Sequence, residues 1–473
     1  MPTTEPVGSS STTEPFSDTE PTPWPCSPDD PAACNNKIDL LFVIDNSGTM
    51  GEEQLNLARN FPGLIEQLQA LEDGEGHPVG ADVNIMVTTT DFDNPRCHGP
   101  WVKPDYEPAK GSPIYTACTE RLTRFTGYGN EPLVIEEACL DFCDPYGVAL
   151  PEDQFIHFDA QTDNVVGGGA ADALGCLGPQ GIDGCGFEAP LESMLQALNP
   201  RACWNDPQGC TDLRWAWIDK PFLRDGALLA IAIITDEADC SVKEFSIMDE
   251  PVFWEVDPLS SMRRPSSALC WNAGVVCTEL DPQSGEYAGC TSANKGTAGN
   301  VGVGDGAAVL HPLSRYTNLL AALRAEGREV IMLGVLGVPE VTAHNPAPPH
   351  QPTEGGLLDL TYRNWRDPDV PAGGDILPDE WGDGVRAQNK QFEFGVGPGC
   401  TGYDPAADSY TGQAIPPVRI REVCESLDTP DDPATELDET RIRCCVESIC
   451  DDDFSPAIRC LTGLIQQAVI PVG

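Results

Sequence analysis

The hydrophobic pattern of the chain alternates between short uninterrupted apolar runs and longer segments with helical spacing. Residues 40–44, 228–235 and 329–336 each contain an uninterrupted run of this kind, and residues 82–90 alternate apolar with polar side chains. Runs of this length are typical of strands that are buried on both faces of a parallel sheet. The sequence therefore predicts four strands, at least three of them fully buried.

Segments with helical spacing follow or precede these strands. Apolar side chains recur every three or four residues over 57–71, 187–198, 314–327, 418–427 and 455–468. Buried strands that alternate with helices predict an α/β fold with a mainly parallel sheet and right-handed crossovers. The chain of 473 residues is long enough to bury a sizeable core.

The remaining length is rich in loop-forming residues. Glycine (46) and proline (44) together exceed their average usage of about 12%. Residues 1–36 consist largely of Ser, Thr, Pro and acidic residues, which predicts a disordered stalk. We expect a single domain over 37–470, with insertions at about 92–165, 237–306 and 339–410 where the periodicity is lost.

Charge and cysteine content narrow the functional classes. The formal net charge of −48 argues against nucleic acid and anionic membrane surfaces as partners. Twenty irregularly spaced cysteines predict structural disulfides in an oxidising compartment. Cys26–Cys34, Cys176–Cys185 and Cys203–Cys210 are local candidate pairs, although spacing leaves the connectivity open.

Localisation follows from the same features. The longest apolar run is too short to span a bilayer, so we expect no transmembrane segment in the given chain. We expect an export signal upstream of residue 1, with or without a lipid-accepting cysteine. The protein would then be secreted, periplasmic or a cell-surface lipoprotein.

A polar turn follows the first buried strand. Asp45, Ser47 and Thr49 are spaced two residues apart between the strand and a predicted helix. One carboxylate and two hydroxyls form an oxygen-only ligand set, which suits Mg²⁺ or Ca²⁺ and suits Zn²⁺ poorly. The alternative is a helix cap without a metal, because Asp, Ser and Thr are also preferred capping residues.

The turn Asp45-Asn46-Ser47-Gly48-Thr49 resembles the D-x-S-x-S/T signature of the von Willebrand factor A domain, as found in exported and lipoprotein-type bacterial members. The resemblance implies a three-layer, doubly wound α/β fold with disulfide-rich insertions. It also implies a metal-ion-dependent adhesion site in which Asp236, after the strand at 228–235, binds the metal directly or through water. The alternative role for Asp236 is a capping aspartate after a strand.

Glu188 is where the chain departs from the family pattern. The family has a threonine ligand at the start of the intervening helix, and Glu188 occupies that position here. Glu188 either binds the metal or complements a helix N-terminus. With Asp45 and Asp236 it would more than neutralise a divalent ion, which weakens the need for an acidic partner. Glu237, Asp239 and Asp93 are either an outer acidic ring or solvated loop residues.

The resemblance implies divalent-metal-dependent binding of a protein or cell-surface polymer by an exported bacterial protein. We do not expect an enzyme, because no motif for nucleophilic or zinc-dependent catalysis is present in the sequence. Two alternatives remain open. One is a structural lipoprotein in which the metal is a folding clip, and the other is a hydrolase whose metal activates water.

Overall fold

The computed structural model describes residues 36–72, 76–98, 106–126, 138–139, 143, 153–365, 387–404, 409–430 and 440–469. These residues form a mixed α/β protein with a mostly parallel central sheet. The predicted α/β class is therefore confirmed. The predicted stalk lies outside the described residues, apart from Asn36.

The described strands and helices follow the predicted order, with additional short strands in the loop-rich regions. The strands are β1 (Lys37–Ile44), β2 (Asp82–Thr89), β3 (Ile156–Phe158), β4 (Leu228–Ile234), β5 (Glu255–Val256), β6 (Arg263–Arg264), β7 (Val275–Leu280), β8 (Glu286–Ser292), β9 (Val330–Leu336), β10 (Val341–His344), β11 (Pro352–Gly355), β12 (Tyr362–Arg363), β13 (Cys400–Asp404), β14 (Ser409–Ala414) and β15 (Cys444–Ser448). The helices are α1 (Gly51–Gln69), α2 (Ala170–Leu177), α3 (Pro190–Ala197), α4 (Ala268–Gly274), α5 (Ser314–Ala325), α6 (Ala387–Phe394), α7 (Val418–Glu425) and α8 (Ser455–Val469).

The central sheet has the strand order β15-β9-β4-β1-β2-β3. All neighbouring pairs are parallel except β2 and β3, so β3 forms an antiparallel edge. The chain runs from β1 to β2 on one side and later returns to β4 on the other side of β1. The strand order therefore reverses at β1, which is where open α/β sheets bind ligands at the carboxyl ends of their strands.

Both faces of the sheet are covered, which explains the uninterrupted apolar runs. Leu40, Phe42 and Ile44 of β1 belong to the core shared with α1, α2 and α8. Leu41 and Val43 point the other way, into the core shared with α3, α5 and α7. A strand between two helical layers has no solvent face, so every position must be apolar.

The regions expected to be insertions contain structure of their own. β3 lies inside residues 92–165 and nevertheless belongs to the central sheet. A three-stranded sheet joins β7 and β8 to β12, and two-stranded sheets pair β5 with β6, β10 with β11 and β13 with β14. β15 is a central-sheet strand that the sequence pattern did not predict. Its run of five residues contains two cysteines and a glutamate, so it does not resemble the other buried strands.

Disulfides connect many of the loop-rich regions. The described pairs are Cys97–Cys185, Cys118–Cys139, Cys143–Cys176, Cys203–Cys210, Cys240–Cys270, Cys277–Cys290, Cys400–Cys450, Cys424–Cys444 and Cys445–Cys460. They fit an extracytoplasmic protein. No described helix is long and apolar enough to cross a membrane.

One predicted disulfide is confirmed and another is wrong. Cys203 and Cys210 are paired as expected. Cys176 instead pairs with Cys143 in the core beside α2, whereas Cys185 pairs with Cys97 near the end of β2. The loop after α2 carries Cys185 away from Cys176, so the two cysteines are close in the sequence but do not pair. The pair Cys26–Cys34 lies outside the described residues.

Candidate metal site

The turn after β1 and the loop after β4 lie side by side at the switch point. β1 and β4 are parallel neighbours with Ile44 opposite Ile234. The Asp45 backbone N–H donates to the Ile234 carbonyl oxygen across 2.9 Å. Asp45 and Asp236 are therefore at the same edge of the sheet, and both are buried.

The Asp45 carboxylate is held by two hydrogen bonds. Its Oδ1 accepts from the Ser47 backbone N–H at 2.7 Å, and its Oδ2 accepts from the Thr235 hydroxyl. Each carboxylate oxygen retains a further acceptor position. This arrangement fixes the orientation of Asp45 while leaving it able to bind an additional group.

Ser47 and Thr49 complete the predicted turn. Their hydroxyl oxygens are 3.5 Å apart. Ser47 is buried whereas Thr49 is exposed, so the Thr49 side of the site faces solvent. The N-cap of α1 is Met50, and no side chain caps that helix. The capping alternative for these residues is therefore not realised in α1.

Glu188 is fully buried beside the other acidic residues. The Thr90 hydroxyl donates to its Oε2, whereas its Oε1 has no hydrogen-bond partner in the part of the chain that the structure describes. The following helix, α3, has Ala189 as its N-cap and lacks a side-chain cap. Glu188 thus makes no capping hydrogen bond, although it does precede the N-terminus of α3.

Several buried oxygen atoms around this turn lack hydrogen-bond partners within the described part of the chain. They are Asn46 Oδ1, Glu53 Oε2, Thr89 Oγ1, Glu188 Oε1 and Asp236 Oδ1. Burying a carboxylate oxygen without a partner is costly. All five atoms are oxygens, so the set matches the hard donors that Mg²⁺ and Ca²⁺ prefer.

The pKa values of the three carboxyls are raised, which reflects the same unfavourable burial of charge. Burial raises the pKa of Asp45 to about 6, although hydrogen bonds from Thr235 and Ser47 oppose the rise. Burial and then the charge of Asp45 raise the pKa of Asp236 to about 8. Burial, followed by the charges of Asp45 and Asp91, raises the pKa of Glu188 well above its usual value. Within the described residues, no Lys or Arg is paired with any of these three carboxylates.

Three further acidic residues belong to the same region. Asp91 follows β2, is buried, and accepts hydrogen bonds from the Tyr106 hydroxyl (2.6 Å) and the Cys185 N–H (3.1 Å). Burial, followed by the charge of Asp236, raises the pKa of both Glu53 and Glu237. Asp91 could have been identified from its position directly after a predicted strand. Glu53 could have been identified from its position four residues after the predicted turn.

Two of the acidic residues considered for an outer ring are engaged elsewhere. Asp239 is buried against Arg419, whose Nε lies 2.8 Å from its Oδ2. Asp93 pairs with Lys110 and His98 on a partly exposed loop. Glu237 lies close enough to the site to interact with Asp45 and Asp236.

The loop that carries Glu188 is held against the site by specific contacts. The Cys97–Cys185 disulfide joins it to the chain that follows β2, and the Gly184 N–H donates to the Asn46 carbonyl oxygen at 2.7 Å. Gln54 of α1 donates to the carbonyl oxygens of both Asp45 (2.8 Å) and Gly181 (2.7 Å). These contacts hold the loop that carries Glu188 against the turn that follows β1.

Within the described residues, the one group of three potential metal ligands whose ligand atoms all lie within 4.8 Å of one another does not include Asp45, Glu188 or Asp236. It consists of Cys445, Glu447 and Cys460. The two cysteines form a disulfide, however, and disulfide sulfurs are not the thiolates that bind metals. Glu447 instead interacts with His344, whose Nε2 lies 3.1 Å from both of its carboxyl oxygens.

Comparisons with protein-family models and with curated proteins found no match for this chain.

Proposed function

We propose that this chain is a divalent-metal-dependent binding module of an exported protein, and that its metal site consists of Asp45, Ser47, Thr49, Glu188 and Asp236. One observation carries the proposal: two buried carboxylate oxygens near Asp45, Glu188 Oε1 and Asp236 Oδ1, have no hydrogen-bond partner among the described residues. A bound cation would provide the partner that these oxygens lack.

The residues fit a hard divalent cation. Every side-chain donor in the set is an oxygen, and three donors are carboxylates, which matches Mg²⁺ or Ca²⁺. When bound, the ion would attract an oxygen donor from a partner molecule. The protein's own residues would orient that ion, since Thr235 and the Ser47 N–H hold Asp45 and Thr90 holds Glu188.

The fold supports a von Willebrand factor A-like, doubly wound arrangement. β1 occupies the middle of a mainly parallel sheet, helices cover both faces, and the signature turn follows β1. Only the turn residues and the order of elements support this relationship, so family membership belongs to the proposal.

The site also favours a particular kind of partner. Thr49 is exposed, so a partner would reach the ion from its side. Three carboxylates bring three negative charges to an ion that carries two positive charges, and Asp91 adds another nearby. A carboxylate from a partner would be repelled by this excess. Neutral oxygen donors, such as carbonyls or hydroxyls of a protein or surface polymer, suit the site better.

A structural metal clip is the second candidate, because Asp45 and Glu188 are fully buried. An ion enclosed by these residues could stabilise the loops without meeting a partner. Calorimetric titration with Mg²⁺ and Ca²⁺ tests whether the ion binds at all. Thermal unfolding and surface-polymer pull-downs, each with and without a chelator, then separate the two roles. A binding module loses capture on chelation, whereas a clip loses only thermal stability.

A further inference from the structure

A cluster of aromatic rings lies at the surface beyond the other end of α3. It consists of Tyr115, Trp204, Trp215 and Trp217, and we refer to these four residues as the aromatic cluster. Neighbouring ring centroids are 5.3 Å apart for Tyr115 and Trp217 and 5.4 Å apart for Trp204 and Trp215. Tyr115 is 39% exposed and Trp217 is 45% exposed. Exposed apolar groups that are contiguous, rather than scattered, are a recognised mark of binding surfaces.

The scaffold beneath the cluster is rigid. The Cys203–Cys210 disulfide closes the loop that carries Trp204. The Trp204 indole N–H donates to the Ala197 carbonyl oxygen at 2.9 Å, and the Trp217 N–H donates to the Arg214 carbonyl oxygen at 3.0 Å. Both indole N–H groups are thus already satisfied within the protein. Trp204 and Trp217 would therefore offer a ligand their ring faces and carbon edges rather than N–H donors.

The segment that carries the three tryptophans is balanced in charge, in contrast to the rest of the chain. Residues 201–220 contain three acidic and three basic side chains, namely Asp206, Asp212, Asp219, Arg201, Arg214 and Lys220. The whole chain has 75 acidic residues and only 27 Lys and Arg. Asp153, which pairs with Lys220, and Glu107, which interacts with Arg214, add negative charge from outside this segment. The surface therefore disfavours an anionic ligand.

Arg214 and Asp212, in the same segment as Trp215 and Trp217, supply paired hydrogen-bonding groups. The Arg214 guanidinium contacts Asp212 through two nitrogens, with Nη2 at 2.7 Å from Oδ2. The Arg214 side chain is 79% exposed and that of Asp212 is 36% exposed. This pair presents a donor and an acceptor side by side at the surface, which is the arrangement that adjacent hydroxyl groups can engage.

The size of the cluster argues against a large protein interface. Aromatic side chains bury about 150–250 Å² each, so four partly exposed rings offer on the order of 300 Å². A stable interface between two protein molecules needs about 800 Å² on each partner. The exposed area is instead comparable with that of one or two sugar rings.

We propose that Trp215 and Trp217, whose ring planes lie within 31° of each other, form a metal-independent site on which a pyranose ring of a neutral polysaccharide stacks. Tyr115 stands at a steep angle beside them as a side wall of the site, and Arg214 and Asp212 hydrogen-bond to the sugar hydroxyls. The face of an aromatic ring is electronegative, and the C–H groups of a sugar ring carry partial positive charge beside their oxygens. The aromatic cluster lies beyond the C-terminal end of α3 and Glu188 lies before its N-terminus. An eight-residue helix separates the two by about 12 Å, so the sites are distinct.

Affinity electrophoresis tests the proposal, using gels that contain soluble neutral polysaccharides such as hydroxyethylcellulose, xylan, mannan and dextran. We expect at least one polymer to retard the full chain, with chelator present as well as absent. Trp217→Ala and Tyr115→Ala should each weaken this retardation by about tenfold or more, because they remove ring faces. Trp217→Phe should retain part of it. Leu213→Ala is the matched control, since Leu213 is 88% exposed in the same segment but has no ring.

Four results would overturn the proposal. The first is that none of these polymers retards the wild type, and the second is that retardation persists unchanged in Trp217→Ala. The third is loss of retardation on chelation, which would assign the binding to the metal site and support the proposed function instead. The fourth is concentration-dependent self-association, measured by sedimentation, that Trp217→Ala abolishes, because the cluster would then be a contact between copies of the chain.

Discussion

The Thr235 hydroxyl donates a hydrogen bond to the Asp45 carboxylate, so the residue that precedes Asp236 orients the acid on the neighbouring strand. This contact links the two loops in which the proposed ligands lie. It exists because β1 and β4 are parallel and in register, which brings their carboxyl ends to the same point. The sheet therefore determines the geometry of the site, and the loops supply its chemistry.

Asp45→Asn should reduce the affinity for Mg²⁺ and Ca²⁺ by at least about tenfold, equivalent to ~1.4 kcal/mol. The substitution removes one ligand charge and keeps the shape of the side chain. In chelator, the same variant should unfold at a slightly higher temperature than the wild type, because a buried carboxyl without a cation is costly. Calorimetry and thermal unfolding measure the two effects. Wild-type metal affinity in this variant would remove Asp45 from the site.

Glu188→Thr introduces the threonine that the resemblance to von Willebrand factor A domains implies as a ligand at this position. If Glu188 is a ligand, metal affinity should fall, since hard-cation affinity follows ligand charge. At saturating metal, affinity for a carboxylate probe such as acetate or an aspartate-containing peptide should rise, because the bound ion is less neutralised.

A fall in metal affinity together with a rise in affinity for the carboxylate probe would identify Glu188 as a ligand. A residue that only complements the α3 N-terminus would give neither change. The second role predicts a stability loss of about 0.3–1 kcal/mol and no change in either affinity. Glu192→Thr is unsuitable as a control because Arg315 pairs with Glu192. Glu52→Thr is a better one, since Glu52 is exposed and close in sequence to the metal-binding turn.

The Cys97–Cys185 disulfide should matter for metal binding as well as for stability. Cys185 is three residues before Glu188, and its partner follows β2, near Asp91. Replacing both cysteines with serine should loosen the Glu188 loop and weaken metal affinity several-fold in protein that is still folded. Calorimetry below the unfolding temperature measures this.

The matched control replaces Cys277 and Cys290 with serine. Their disulfide joins β7 to β8, away from the site. Removing a native disulfide costs about 2–5 kcal/mol in small domains, so both variants should lose thermal stability. Only the first should lose metal affinity. Equal metal affinity in the two variants would show that the Glu188 loop keeps its position without the disulfide.

The sequence predicted the buried centre of the fold better than its edges. Residues 40–44 and 228–235 lie between two helical layers, so their apolar runs have a single physical explanation. β15 was not predicted because Cys444 and Cys445 form disulfides and Glu447 contacts His344. These interactions replace apolar burial and leave no hydrophobic pattern. The short β3 was missed because three residues give too little periodicity.

The site was predictable only as far as local sequence determines it. Asp45, Ser47 and Thr49 form one turn, so their spacing was sufficient to bring them together. Asp91 requires knowledge that β2 lies beside β1, and the contact between Glu188 and Thr90 requires the path of a loop clamped by a disulfide. The aromatic cluster joins Tyr115 to residues about 100 positions later in the chain, and no local pattern indicates such a contact.

Glu447 should make the stability of the protein depend on pH. Burial raises the pKa of Glu447 from its usual 4.5 to about 8. An acid whose pKa is higher in the folded state binds its proton more tightly there than in the unfolded chain. Its stabilising contribution is therefore complete below about pH 4.5 and is lost as the pH rises through about 8. Over that interval the free energy of unfolding should fall by up to ~1.4 kcal/mol per pH unit from this group.

Glu447→Gln provides the comparison, because glutamine keeps the shape and the contact with His344 but does not titrate in this range. Urea unfolding of both proteins at a series of pH values gives the difference in their free energies of unfolding. That difference should shift in favour of the glutamine variant as the pH rises from 5 to 8. Groups remote from Glu447 contribute equally to both proteins, whereas His344 and Asp451 interact with Glu447, so the shift reports the titration of this coupled group. Parallel pH profiles would mean that Glu447 is already ionised in the folded protein at neutral pH and is balanced by nearby charge such as Arg459.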